Sequence, residues 1–119
     1  MSWVPARSEG GAGAGATAPA PLFAALGDET RLHLVMRLSA EGPLSITRLT
    51  SDASVTRQAV TKHLRVLAEA GLARSAHVGR ETIWELEPQS LEAAGAYLDE
   101  ISAQWDRALA RLKALVEEE

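Results

Sequence analysis

The 119-residue chain contains no cysteine. That absence excludes disulfides, thiolate nucleophiles and cysteine-ligated zinc or iron–sulfur centres, and it is compatible with a reducing compartment. No apolar run approaches the roughly 20 residues that a bilayer span needs, and the N-terminus lacks the charged-then-apolar pattern of a secretory signal. A cytoplasmic chain with no membrane partner is therefore expected. There is no glycine-rich phosphate loop, and no Ser, His and Asp stand at spacings that suggest a nucleophilic triad, so no enzymatic activity is expected. With 46% hydrophobic residues the chain has material for one core and one domain, and no room for a second, catalytic one.

The formal net charge is −4, which taken alone disfavours a polyanionic partner. The average hides an asymmetry. Residues 54–80 carry Arg57, Lys62, Arg65, Arg74 and Arg80 against Glu69 alone, five minus one, or +4. Residues 85–119 carry nine acids against Arg107, Arg111 and Lys113, three minus nine, or −6. A polyanion would bind at the first block.

Of residues 1–21, thirteen are Gly, Ala or Pro, and apart from the initiating Met only Trp3 and Val4 are sizeable and apolar. Burial there cannot offset the entropy of ordering, so this stretch is expected to be a disordered leader, with Arg7 more plausibly inert than a DNA-touching arm. Residues 22–119 are expected to form the folded domain. Leu22, Phe23, Ala25 and Leu26 suggest a short helix ended by Gly27, and Asp28 can cap a second through Leu32, Leu34, Val35, Met36 and Leu38 that stops at Gly42-Pro43. A short helix starting near Ser45 holds Ile46 and Leu49 and breaks at residues 51–54, whose side chains favour turns. Thr56 can cap the next helix, residues 57–70, and Gly71 suits the left-handed position just past its end.

After Gly71 the period changes to two, with Ile83, Glu85 and Glu87 alternating against Thr82, Trp84 and Leu86, and Gly79-Arg80 between two such runs predicts a hairpin. Pro88 suits the first turn of a last helix. Along it Leu91, Ala94, Leu98, Ile101, Trp105, Leu109, Leu112 and Val116 recur at spacings of three and four, a stripe of about seven turns that one small core cannot cover. The expected class is mostly α with a small β-hairpin wing, a winged helix-turn-helix.

On the helix over 57–70, Val60, Leu64 and Leu67 share a core-facing side. Gln58, Thr61, Lys62 and Arg65 fall at i, i+3, i+4 and i+7 on another. Gln and Arg can make paired bonds to base edges, while Lys and Thr can bond phosphate or bases, and the major groove admits one helix. A polar helix face is more often merely solvated. Here a preceding short helix, a turn and a basic hairpin carrying Arg74, His77 and Arg80 favour duplex DNA as its partner.

Residues 22–116, about four-fifths of the chain, resemble the ArsR/SmtB-type winged-helix repressors in three stretches: FAALGDETRLHLVMRL, VTRQAVTKHLRVLAEAGL and VGRETIWEL. The middle one is the specific match. The resemblance implies a homodimer that reads a palindromic operator and represses until a signal relieves it. Thr56, Arg57, Gln58, Thr61, Lys62, Arg65 and Arg80 would bind DNA. The first and last helices would make the dimer interface, through Leu22, Phe23, Leu26, Leu91, Leu98, Ile101, Trp105 and Leu112, in agreement with the long stripe.

Many relatives sense metals. The cysteine motif of the arsenic sensors would fall near residues 45–49, where there is none, and the last helix offers Asp99, Glu100 and Asp106 without a histidine. Carboxylates alone favour hard cations over zinc, so no metal or other cofactor is expected. His33, His63 and His77 are scattered, and His63, beside Ala59 and Val66, reads as packed rather than as a switch. Trp84 and Trp105 could line an effector pocket, but large aromatics at such positions usually fill core or interface, which leaves any effector unidentified. Two rivals remain on sequence grounds: a winged-helix protein–protein interaction module without DNA binding, and a nonspecific architectural binder, which the acidity outside one patch disfavours.

Overall fold

Three of the helices begin on a side chain that closes their first turn. In the computed structural model, which describes residues 19–118, the order is α1 (Pro19–Leu26), α2 (Glu29–Glu41), β1 (Leu44–Ser45), α3 (Ile46–Ser51), α4 (Arg57–Glu69), β2 (Ala73–Val78), β3 (Glu81–Leu86) and α5 (Pro88–Glu117). Asp28, Ser45 and Thr56 accept from the backbone N–H groups of Arg31, Arg48 and Ala59 at 2.9, 3.0 and 3.1 Å. Each satisfies one of the donors that a helix start leaves without a partner. α5 has no side-chain cap and starts instead on Pro88, whose missing N–H would be unsatisfied there in any case.

The ends are equally specified. Gly42 (φ 85°) closes α2 ahead of Pro43. At the exit of α4, Leu72 N–H donates to the Leu67 carbonyl and Gly71 N–H to that of Ala68, the Schellman pair that a glycine at φ 83° permits. The expectation of a leader over residues 1–18 lies outside the described residues. The folded part starts earlier than position 22, because Pro19–Pro21 form the first turn of α1, where proline is tolerated.

The wing is a three-stranded antiparallel sheet ordered β1-β3-β2 rather than a bare hairpin. β2 and β3 join through Gly79-Arg80, with Val78 opposite Glu81 and Gly79 at φ 65°, as the first central residue of a type II′ turn requires. β1 adds Leu44 opposite Trp84 and Ser45 opposite Ile83. Two residues are too few to show a period, so the sequence carries no signal of this strand.

The core lies where α1, α2, α3, α4 and the base of the wing meet. Leu22, Leu49, Val60, Leu64, Leu67 and Leu72 are each all but fully buried, with Leu34, Val35, Leu38, Ile46 and Trp84 around them. The buried Ser90 hydroxyl donates to the Gly71 carbonyl and ties the start of α5 to the exit of α4. Leu32 and Met36 point outward from α2, since Leu34, Val35 and Leu38 already fill its inner face. Leu22 is in this chain's own core at 1% exposure, so it has no surface to offer a second copy.

Candidate nucleic-acid interface

The helix-turn-helix is formed by α3, the turn over residues 52–56, and α4. Val60, Leu64 and Leu67 anchor α4 to the core with no exposed surface, and this fixes which side of the helix faces out. Arg57, Gln58, Lys62 and Arg65 are exposed on that outer side, and Thr61 is half-buried among them. From Gln58 to Arg65 the face runs about 10 Å, at 1.5 Å per residue. Thr56 caps the helix and is itself exposed. The N–H groups that the Thr56 cap leaves over and the positive end of the helix dipole therefore point the same way as its leading side chains.

Among the described residues none of Arg57, Lys62, Arg65 and Arg80 takes part in an ion pair. Arg74 differs. Its guanidinium donates to Glu85 at 2.7 Å and Glu87 at 3.0 Å across the sheet, and the Glu85 bond raises its already high pKa. Arg74 therefore braces the wing and drops out of the basic patch, although residue counting had included it. Arg80 stands exposed at the wing tip. Sequence reasoning missed Arg48, on the exposed side of α3, whose only ion-pair partner among the described residues is Glu41 at 3.8 Å. It lies outside the 54–80 block, and only its placement on the first helix of the motif would have drawn attention to it.

α4 is also tied to the rest of the body. Half-buried His63 sits with Nδ1 3.3 Å from the Arg31 guanidinium and 3.8 Å from the Asp28 carboxylate, and Arg31 Nε donates to the Ala25 carbonyl. The histidine is packed and hydrogen-bonded. Asp28 is held below its ordinary value, chiefly by the Arg31 N–H it caps, which outweighs an opposing desolvation, with the Arg31 and His63 charges adding to the lowering. Trp84 and Trp105 do not converge on a pocket, for Trp84 is buried in the core and Trp105 is 65% exposed. Space for a small molecule lies elsewhere, in a cleft of about 600 Å³ between α2 and the α3–α4 turn, lined among others by His33, Arg37, Leu49, Asp52 and Val55. Among the described residues no cluster of three or more His, Asp or Glu could hold a metal ion.

Comparison with known proteins agrees with this arrangement. The family model described as "Helix-turn-helix domain" matches residues 26–76. The HTH-type transcriptional regulator Rv2034 of Mycobacterium tuberculosis is 38% identical over 101 residues, 85% of this chain and 91% of that protein. The arsenical resistance operon repressor of Escherichia coli is 33% identical over 82 residues, 69% of this chain and 70% of the other. Among solved structures, an ArsR-like transcriptional regulator from Rhodococcus sp. RHA1 matches with a TM-score of 0.69 at 38% identity, over 81% of this chain and 90% of that one. A winged helix-turn-helix with an exposed basic second helix, and relatives of this kind along most of its length, place the chain in the ArsR/SmtB-type family of DNA-binding transcription regulators, which are not enzymes.

Proposed function

We propose that the protein acts in the cytoplasm as a homodimeric repressor on a palindromic operator, with the two α4 helices entering successive major grooves. Arg57, Gln58, Thr61 and Arg65 reach base edges, Lys62 and Thr56 bond phosphates, and Arg80 contacts the backbone or the minor groove from the wing. The observation that carries this reading is the exposed basic face of α4 on a helix whose other side is locked into the core. Phe23, Leu26, Leu91, Leu98, Ile101, Trp105 and Leu112 are proposed to serve the two-copy assembly. A small effector would have room in the cleft beside the α3–α4 turn.

Replacing Arg57, Lys62 and Arg65 together by Ala tests the assignment. Circular dichroism should be unchanged because these side chains are solvated, while duplex affinity should fall by orders of magnitude and the salt dependence should flatten by about the one phosphate contact assigned to Lys62. A variant that binds DNA as the parent does would transfer the role to another surface.

A further inference from the structure

Arg31 stands where three helices meet. Its Nε donates to the Ala25 carbonyl in the last turn of α1 at 2.7 Å, and its backbone N–H donates to the Asp28 carboxylate that caps α2 at 2.9 Å. Its Nη1 lies 3.3 Å from Nδ1 of His63, on α4. Among the described residues this is the one hydrogen bond from a side chain of α4 to another helix. Val60, Leu64 and Leu67 hold α4 to the core through apolar contact, which has no preferred direction. The bond to Arg31 has one, and it is made by the neighbour of Lys62 on the helix assigned to DNA.

The chemistry of that contact fixes the state of the ring. A guanidinium only donates, so His63 Nδ1 has to accept, and the ring in this arrangement is neutral with its hydrogen on Nε2. A proton taken up at Nδ1 removes the acceptor and sets a second cation beside Arg31. The same nitrogen lies 3.8 Å from Oδ2 of Asp28, the oxygen that caps Arg31 N–H, so the charged ring exchanges the Arg31 side chain for the α2 cap. The remaining charges around α4 take no part in this exchange. α1 has no charged side chain. On α3 Arg48 faces Glu41, and on β2 Arg74 is held by Glu85 and Glu87 while His77 lies against Thr82. On α4 itself Lys62 and Arg65 stand on the outer side, and Glu69 borders the groove between α1 and α4 that Arg31 also lines.

We propose that Arg31 and the neutral ring of His63 are positioning residues for DNA recognition: their bond seats α4, and proton uptake by His63 releases that seat and weakens operator binding. The inference rests on α4 being the helix that reads DNA. Its sign is opposite to that of charge alone. A histidine that becomes cationic near a DNA-binding face raises affinity for every duplex, because it adds to the attraction for phosphate. Loss of the seat instead displaces Gln58, Thr61 and Arg65 from base edges and lowers affinity for the operator above all.

Anisotropy titrations on the protein's own upstream promoter region, run between about pH 8 and about pH 5, compare the parent with His63→Asn. The Asn oxygen can accept from Arg31 where Nδ1 does, and it takes up no proton. His33 and His77 titrate in both proteins and cancel, and the window lies above the one in which Asp28 titrates. At about pH 8 the two should bind alike. At about pH 5 the parent should bind up to about tenfold more weakly than His63→Asn, the contribution of one hydrogen bond to a charged group, with circular dichroism showing both folded. Arg31→Lys is the second variant, should His63→Asn misfold: it keeps the charge, but one nitrogen cannot serve Ala25 and His63 together, so it should bind the promoter several-fold more weakly than the parent at about pH 8. Parallel profiles for the parent and His63→Asn, or Arg31→Lys with the affinity and profile of the parent, would overturn the proposal while leaving DNA reading by α4 in place. A parent that shows no preference for the promoter over a scrambled duplex at about pH 8 would overturn that reading and the proposal with it.

Discussion

Asp28 and Thr56 start their helices with the same hydrogen bond, but only the carboxylate titrates. The Asp28 pKa is depressed in the folded chain, so the stability it contributes is fully present above the unfolded value of about 3.9 and is lost as pH falls through the lower folded value. Thermal melting of the parent should therefore worsen in that acidic window relative to Asp28→Asn, which keeps the cap without the titration. Parallel pH profiles for the two would refute it. At Thr56 the expectation is independent of pH: Thr56→Ala should cost about 1 kcal/mol of unfolding free energy in urea titration through the lost cap. On the outer face of α4, Gln58→Ala should cost about 1–3 kcal/mol on the operator and relax preference at one base pair, whereas Lys62→Ala should weaken all duplexes alike and reduce the salt slope by about one. Anisotropy titrations on operator and random DNA separate the two, and equal losses for Gln58→Ala would deny it a base contact.

At the scale of elements, the helices were legible because each carries its own punctuation. Asp28, Ser45 and Thr56 mark starts, Gly42 and Gly71 mark ends, and the apolar period between them picks the inner face. The hairpin was equally plain from Gly79-Arg80 between alternating runs. What could not be read has physical causes. β1 is two residues, too short for a period, and pairs with the edge of β3 beside it. Leu32 and Met36 look like core by composition, but α2 has one face against the body and three other side chains fill it. Arg74 looked like a DNA contact until the cross-strand neighbours Glu85 and Glu87 were in place, which depends on strand register. The exposed polar face proposed to meet DNA was legible in kind, from spacing on α4, while the ion pairing of Arg74 and the candidacy of Arg48 needed the fold. The packing that orients α4 is itself testable: Leu64→Ala should destabilise by about 2–5 kcal/mol, and fully folded Leu64→Ala protein should retain the parent's salt slope, because no phosphate contact is removed.

For the whole molecule, charge and apolar surface are divided between two ends. The basic face of α4 and the wing tip carry cations without an ion pair among the described residues, while α5 carries acids around an exposed apolar seam. A net charge of −4 is thus compatible with DNA binding, since the acids lie mostly on and around the element assigned to self-association. The division also explains why Leu22 was misassigned: the sequence shows that α1 and α5 are apolar, but only the packing separates the chain's own core from the surface left for a second copy.

The most direct test of the central claim is salt-dependent fluorescence anisotropy of the purified protein on its own upstream promoter region and on a scrambled duplex of equal length, at matched protein concentration. The promoter should be bound at least ~10³-fold more tightly, with affinity falling steeply as salt rises. Equal, weak binding to both duplexes would contradict operator recognition by α4 and point instead to a protein partner.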